Sequence, residues 1–586
     1  MRVLLTTLNA KFIHSCLAIR YLARYCQSPD WEIMLAEYTI NDPILTILGD
    51  LYRYQADVIG FSCYIWNISQ TLELTRLLKK IVPATCVILG GPEVSYEPAE
   101  ILIANPDVDI IVRGEGEETL RELLETIHRG GSLKEVKGLA YRDEEGPKLT
   151  PERPLIKDLD QIPFPYTGEL LDLKNRVVYY ESTRGCPFSC QYCLSSTIAG
   201  VRFFSLPRVL RDLAYLIERG VKQVNFVDRT FNCRKEHYWP ILKFLAEYGG
   251  STEFHFEIAA DLFDSEVLDW LARVPTGRFR FEIGVQSTHP PTLKAIQRKM
   301  DFSRLARAVQ QIRCQGRIYQ HLDLIVGLPE ENWEALKRSF NDVYALRPDM
   351  LQIGFLKLLK GSGLRRTAKQ YGYVFMDQPP YEVLANRWLS YTEIRQLKIL
   401  EDVFERYYNS HRFIYSLEFA LARYPAGPFD WYARLAEFWE AHGWHLQAHN
   451  PTSLGEKLDG FYRALGLPDY QVFCEVLKLD YLCQVGIGSV PEFLNRENGA
   501  GFREKRARFF GEYEMKEKYF PEFAALTARE LSKVLHLEIF NCDVVTLASA
   551  PARQVAYPEP TVVLFKKTSA GVKFVQVEHE DFFTVD

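Results

Sequence analysis

No apolar run in this chain approaches the ~20 residues of a membrane-spanning helix. The opening Met1-Arg2-Val3-Leu4-Leu5-Thr6-Thr7 is too short an apolar stretch for a signal peptide and reads as a buried strand. A cytoplasmic protein without a membrane span is therefore expected. A basic excess is also missing: 70 Lys and Arg stand against 76 Asp and Glu, a net charge of -6. That balance gives no footprint for indiscriminate nucleic-acid binding, so no nucleic-acid partner is expected. Internal repeats and low-complexity tracts are lacking too. The most telling absence is a fourth cysteine near Arg184-Gly185-Cys186-Pro187-Phe188-Ser189-Cys190-Gln191-Tyr192-Cys193, whose spacing is C-x3-C-x2-C. A closed four-ligand zinc or iron–sulfur site would need one more thiolate close by. Disulfide pairing fits poorly, because three is odd and the other cysteines are scattered singly through apolar segments. Three thiolates leave one corner of a metal site open for chemistry.

The composition is that of a globular enzyme, 47% hydrophobic and 25% charged, and 586 residues leave room for several domains. Three blocks separate on pattern. Residues 1–145 alternate short β-branched runs (Val3–Thr7, Val58–Cys63, Val87–Leu89, Ile110–Val112) with helical spacing, which predicts an α/β, doubly wound, Rossmann-like parallel sheet. A proline-spotted linker covers 146–175. Residues 176–375 offer six further strands (Val177–Glu181, Gln223–Val227, Glu253–Ile258, Arg280–Val285, His321–Val326, Leu351–Phe355), a pattern that fits a partial (βα)6 barrel with its active site at the carboxyl ends of the strands. Residues 376–586 read as a mainly helical domain of unknown function, with a long amphipathic pattern over Tyr391–Tyr408 and a late hairpin about Ser569-Ala570-Gly571.

The cysteine segment directly follows the first barrel strand, and its spacing resembles that of the radical S-adenosylmethionine (SAM) enzymes. Glu282-Ile283-Gly284-Val285-Gln286-Ser287, Asp323-Leu324-Ile325-Val326-Gly327-Leu328-Pro329-Glu330 and Gly361-Ser362-Gly363 resemble that family's later motifs, in the same order. The resemblance implies a [4Fe-4S] cluster held by Cys186, Cys190 and Cys193, with SAM on the open iron. It further implies cofactor contacts from Tyr192 beside the adenine, Asp228 and Glu257 at strand ends, Gly284 at the cofactor's closest approach, Gln286 on the ribose and Arg298 on the carboxylate. The implied chemistry is reductive cleavage of SAM to a 5′-deoxyadenosyl radical, with the protein positioning and shielding the reactants.

A parallel α/β block ahead of such a barrel resembles the cobalamin-binding members of the family. The carrying segments are Gly60-Phe61-Ser62-Cys63, Leu89-Gly90-Gly91-Pro92-Glu93 and Arg113-Gly114-Glu115-Gly116-Glu117. The resemblance implies a corrin pocket lined by Asn9, His14, Ser62, Gly90, Gly91, Glu93, Gly114 and Gly116. The Asp-x-His-x-x-Gly stretch of cobalamin mutases is absent from Leu8-Asn9-Ala10-Lys11-Phe12-Ile13-His14-Ser15, so His14 is not assigned as a lower cobalt ligand. The third block is similar to the carboxyl-terminal extension of an uncharacterised branch. Methylation of an unactivated carbon in a small molecule or peptide is the expected reaction, with a flavodoxin or ferredoxin as electron donor. A radical rearrangement or cyclisation, and a cobalamin- or redox-sensing protein, are the alternatives.

Overall fold

The computed structural model describes residues 1–166, 173, 175–248, 250–485, 490–494, 501–568 and 571–583. They form two units, Met1–Ile394 and Arg395–Asp586. The first unit holds two sheets. In the amino-terminal sheet the strands are β1 (Arg2–Asn9), β2 (Glu32–Thr39), β3 (Val58–Ser62), β4 (Cys86–Gly90), β5 (Ile110–Val112), β6 (Leu139–Asp143) and β7 (Gly146–Leu149). Their order is β2-β1-β3-β4-β5-β6-β7, parallel through β5 and antiparallel beyond it. Successive residues point to opposite faces. Leu4, Ile59, Phe61 and Leu89 are buried in one hydrophobic core, and Val3, Leu5, Ile88 and Val112 in another. Each such side chain contributes roughly 1.5–3 kcal/mol by leaving water, which is why near-continuous apolar runs mark the inner strands.

Two features of this sheet depart from the sequence reading. Strand β2 was not anticipated, because Glu32 and Glu37 break up its apolar run; it pairs in register with β1 along eight residues. The linker expected from 146 also starts later, since Gly146–Leu149 pairs with β6. Pro147 is tolerated there because β7 is an edge strand. Of the remaining connector, 167–172 and 174 lie outside the described residues.

The second sheet is the partial barrel. It contains β8 (Val177–Tyr180), then, after the small β9 (Thr183–Gly185) and β10 (Val201–Phe203) ribbon, β11 (Gln223–Phe226), β12 (Glu253–Ile258), β13 (Phe279–Gln286), β14 (Tyr319–Val326) and β15 (Met350–Phe355). Neighbours follow chain order, and every pair is parallel. Alternation is strict in β12, β13 and β14, where Phe254, Phe256, Phe281, Ile283, Leu322 and Leu324 are buried. The intervening His255, Glu257, Glu282, Gly284, Gln286, His321 and Asp323 leave the other face polar and half open. A ribbon of β16 (Val374–Phe375) and β17 (Val383–Ala385) follows. It belongs to the first unit, so the break between units falls after 394 rather than at the change of pattern near 376.

The second unit is mainly helical, as expected. Its helices include Ile414–Arg423, Pro428–Ala441, Pro451–Ala464 and Tyr470–Asp480, with the large buried side chains Trp431, Trp439, Tyr432 and Tyr462. Asp480 is fully buried and accepts hydrogen bonds from the Tyr415 and Ser416 backbone N–H groups and the Ser416 hydroxyl, at 3.1, 2.8 and 2.5 Å. A three-stranded antiparallel sheet of β18 (Leu535–Phe540), β19 (Thr561–Thr568) and β20 (Gly571–Val577) completes the unit. The last two strands form the anticipated hairpin, whose turn residues Ser569 and Ala570 lie outside the described residues.

Candidate active site

The three cysteines sit on the loop after β9, and all three are free thiols. Gly185 opens this loop at φ +105, where an added Cβ would lie 2.2 Å from the Gly200 carbonyl oxygen, so only glycine lets the β9–β10 ribbon close behind the cysteines. Cys193 N–H donates to the Cys190 carbonyl at 3.1 Å, and Cys186 Sγ lies 3.5 Å from Thr230 Oγ1. On the other side, Arg298 Nη1 donates to Tyr192 OH at 3.0 Å and approaches Cys190 Sγ at 3.7 Å, while Nη2 donates to the Gly284 carbonyl. Sequence positions 190, 192, 284 and 298 thus meet at one place. Gln286 joins them through a break in register after Gly284, with its backbone at φ +72. Left-handed backbone at a non-glycine residue costs on the order of 1–3 kcal/mol and tends to mark functional sites. The buried Gln286 Oε1 and Arg298 Nε have no hydrogen-bond partner, and such orphans call for a ligand.

Two expected contacts take other partners. Asp228 is fully buried and does not line the cavity. Its carboxylate accepts from Ser182 N–H (3.0 Å), Ser182 Oγ (3.1 Å), Thr183 Oγ1 (2.6 Å) and Thr183 N–H, clasping the segment that leads into the cysteine loop. Burial pushes its carboxyl up to about 7, against the downward pull of those hydrogen bonds. Asp228 thereby holds the segment that leads into the cysteine loop. Glu93 is likewise buried away from the cavity, where Tyr381 OH donates to it and Lys360 Nζ lies 3.7 Å away.

A cavity of about 750 Å³ opens beside the cysteine loop. From the first sheet it is lined by Asn9, His14, Ser62, Gly90, Gly91, Gly114 and Gly116, and from the barrel by Val227, Arg229 and Glu257. Gly91, at φ +110, brings the turn after β4 so close to Cys63 that a Cβ would lie 2.6 Å from its carbonyl oxygen. Asn9 Nδ2 donates to the His14 carbonyl (3.1 Å) and to Glu37 Oε2 (2.8 Å), and His14 Nδ1 lies 2.8 Å from Tyr179 OH. Burial, and then Lys11, hold His14 below the usual imidazole range. Tyr64 and Trp66 stack on the wall with ring centroids 4.4 Å apart. Glu257 pairs loosely with Arg229, Oε1 to Nη1 3.4 Å, and burial pushes its carboxyl up to about 7.

Sequence reasoning missed the charged hinge between the sheets. Arg184 Nη2 meets Glu117 at 2.5 Å and Glu181 at 2.8 Å, and Nη1 lies 3.5 Å from Glu115. Arg202 holds Glu115 from the other side at 2.5 Å. The signal was present, since Arg184 abuts the cysteine motif and the two glutamates alternate with Gly114 and Gly116, but nothing local said that the two segments meet.

The donor set fits the expected groups: three thiols on one loop, orphaned polar atoms beside them, and a glycine-rimmed cavity leading away. The family comparisons agree. Residues 3–124 match the B12 binding domain, 180–343 the Radical SAM superfamily and 369–565 a Protein of unknown function (DUF4080). The chain thus carries a B12 binding domain followed by a Radical SAM domain, the architecture of the cobalamin-binding radical SAM enzymes. The uncharacterized methyltransferase PH0819 of Pyrococcus horikoshii is 27% identical over 57% of this chain and 74% of its own length. The cobalamin-dependent radical SAM methyltransferase TokK of Streptomyces tokunonensis is 27% identical over 53% of this chain, which spans only 48% of that protein. OxsB, a cobalamin-dependent SAM radical enzyme solved with aqua-cobalamin and SAM bound, shares the fold with a TM-score of 0.58 at 17% identity, over 82% of this chain and 79% of its own. Among the described residues no helix is long and apolar enough to cross a membrane.

Proposed function

We propose that this protein is a cobalamin-dependent radical SAM methyltransferase acting on an unactivated carbon of a small molecule or peptide. The observation that carries the reading is the cavity, whose wall is shared by the glycine turns of the first sheet and the strand ends of the barrel. When bound, the [4Fe-4S] cluster and SAM supply a carbon-centred radical and cobalamin supplies a transferable methyl group. The chain's own part is placement. Cys186, Cys190 and Cys193 would hold the cluster, with Tyr192, Gly284, Gln286, Arg298 and Glu257 around SAM. Asn9, His14, Ser62, Gly90, Gly91, Gly114 and Gly116 would line the corrin. Asp228 locks the approach to the cysteines, and Arg184 fixes the cysteine loop against the corrin turns.

His14 is not assigned as a lower cobalt ligand, and its Nδ1 lies 2.8 Å from Tyr179 OH. Twelve free thiols suit a reducing cytoplasm, with a flavodoxin or ferredoxin as the electron source. The test is anaerobic reconstitution with iron, sulfide, cobalamin and SAM, followed by mass spectrometry of the nucleoside products. S-adenosylhomocysteine formed together with 5′-deoxyadenosine is the expected result. Deoxyadenosine alone would favour a rearrangement or cyclisation, and intact SAM would point to a sensor.

A further inference from the structure

Arg229 is the cation of the cavity wall that carboxylates do not enclose. Arg184, on the same wall, is fixed by three glutamates. Arg229 has one carboxylate partner among the described residues, Glu257, at 3.4 Å, and 54% of its side chain remains exposed although it lines the cavity. It shares that wall with Tyr64 from the first sheet and with Glu181 and Arg184, which lead into the cysteine loop. A guanidinium offers five N–H donors in a planar fork. One long contact leaves most of that capacity unused, in a cleft whose walls concentrate the field. The backbone is set in advance, because Arg229 follows Asp228, whose carboxylate is locked by Ser182 and Thr183.

We propose that Arg229 anchors a carboxylate or phosphate group of the substrate between the cysteine loop and the first sheet. This rests on the methyl-transfer reading and adds the substrate's chemical class: an anion, held at one end so that a carbon further along is presented to the two cofactors. The planar fork of arginine matches both oxyanions in a bidentate manner that lysine cannot reproduce.

The experiment uses the full-length protein loaded with cluster and cobalamin, without SAM. It is titrated with inorganic phosphate and with succinate at constant ionic strength, and the thermal midpoint is read. A saturable rise is expected for the wild type. It should be lost in Arg229→Gln, partly kept in Arg229→Lys, and reached at several-fold lower anion concentration in Glu257→Gln, where the competing carboxylate is gone. An unchanged response in Arg229→Gln, or no response in the wild type, would overturn the proposal. If Arg229→Gln loses its cluster, the other two variants decide, and a Glu257→Gln response no tighter than wild type counts against it. Abolition of the wild-type response by saturating SAM would assign Arg229 to the cofactor's carboxylate and also overturn it. Failure of the methyl-transfer reading would show separately, as a loaded wild type that forms no S-adenosylhomocysteine.

Discussion

Arg184 and Glu117, 67 positions apart in the chain, form an ion pair at 2.5 Å that ties the cysteine loop to the last glycine turn of the first sheet. Glu181 and Glu115 complete the group, and all four side chains are no more than 14% exposed. Replacing Arg184 by Met strands Glu117 and Glu181 in a poorly solvated place and leaves Glu115 to Arg202. We expect a loss of about 3–5 kcal/mol, the usual cost of breaking a buried pair from one side, measured by urea unfolding. Arg184→Lys should recover part of it. A Met variant as stable as the wild type would show that the hinge contributes nothing.

Asp228 should govern cluster retention rather than SAM affinity. In Asp228→Asn an amide nitrogen faces the Ser182 and Thr183 donors. Iron content after reconstitution is then expected to fall roughly tenfold, in line with the ~1–3 kcal/mol lost when buried donors go unpaired. Full iron loading with weakened SAM binding would return Asp228 to the role of cofactor contact.

Gly91→Ala and Gly114→Ala form a matched pair. Both glycines have positive φ, but a Cβ at Gly91 meets the Cys63 carbonyl at 2.6 Å, whereas one at Gly114 has nothing within 4 Å. Gly114→Ala should cost only the backbone strain, ~1 kcal/mol. Gly91→Ala should also displace the turn and abolish cobalamin uptake, read from the visible spectrum after gel filtration. Equal uptake by the two variants would refute this.

Asp480 predicts a pH dependence in the second unit. Burial lifts its carboxyl from 3.8 to about 7, so between those values the folded state binds more proton than the unfolded one. Its contribution is complete below the unfolded value and is lost as pH rises through about 7, by up to ~4 kcal/mol. The urea midpoint followed by tryptophan fluorescence should therefore show a downward slope from Asp480 over that window, and Asp480→Asn should flatten it. An identical slope in the variant would exclude Asp480 as the source.

The strands of the barrel were legible because apolar residues alternate with polar ones at the period of a half-buried strand, and Glu253–Ile258 matched to the residue. The cysteines, Tyr192, Gly284 and Arg298 were legible as a set because each lies in a motif with its own spacing. Strand β2 was hidden by its glutamates, yet Glu37 is there for a reason: it receives Arg20 and Asn9 at the cavity's edge. Asp228 and Glu93 are a different case. A polar residue at a strand end reads as a ligand, and only the packed structure shows that Ser182, Thr183 and Tyr381 have already claimed these two carboxylates.

The Glu93–Tyr381 contact spans 288 positions and bears on where this protein can be cut. The DUF4080 match begins at residue 369, but the first compact unit runs to Ile394. The opening stretch of the carboxyl-terminal family is therefore a structural part of the catalytic unit, supplying Tyr381 to the turn after β4. A chimera joined at 368, grafting another carboxyl-terminal region onto this barrel, would arrive without that tyrosine and leave Glu93 buried beside Lys360 and Arg365 without its hydroxyl donor. Joined after 394, in the first turn of the helix Tyr391–Phe404, the same graft would keep Tyr381 on Glu93.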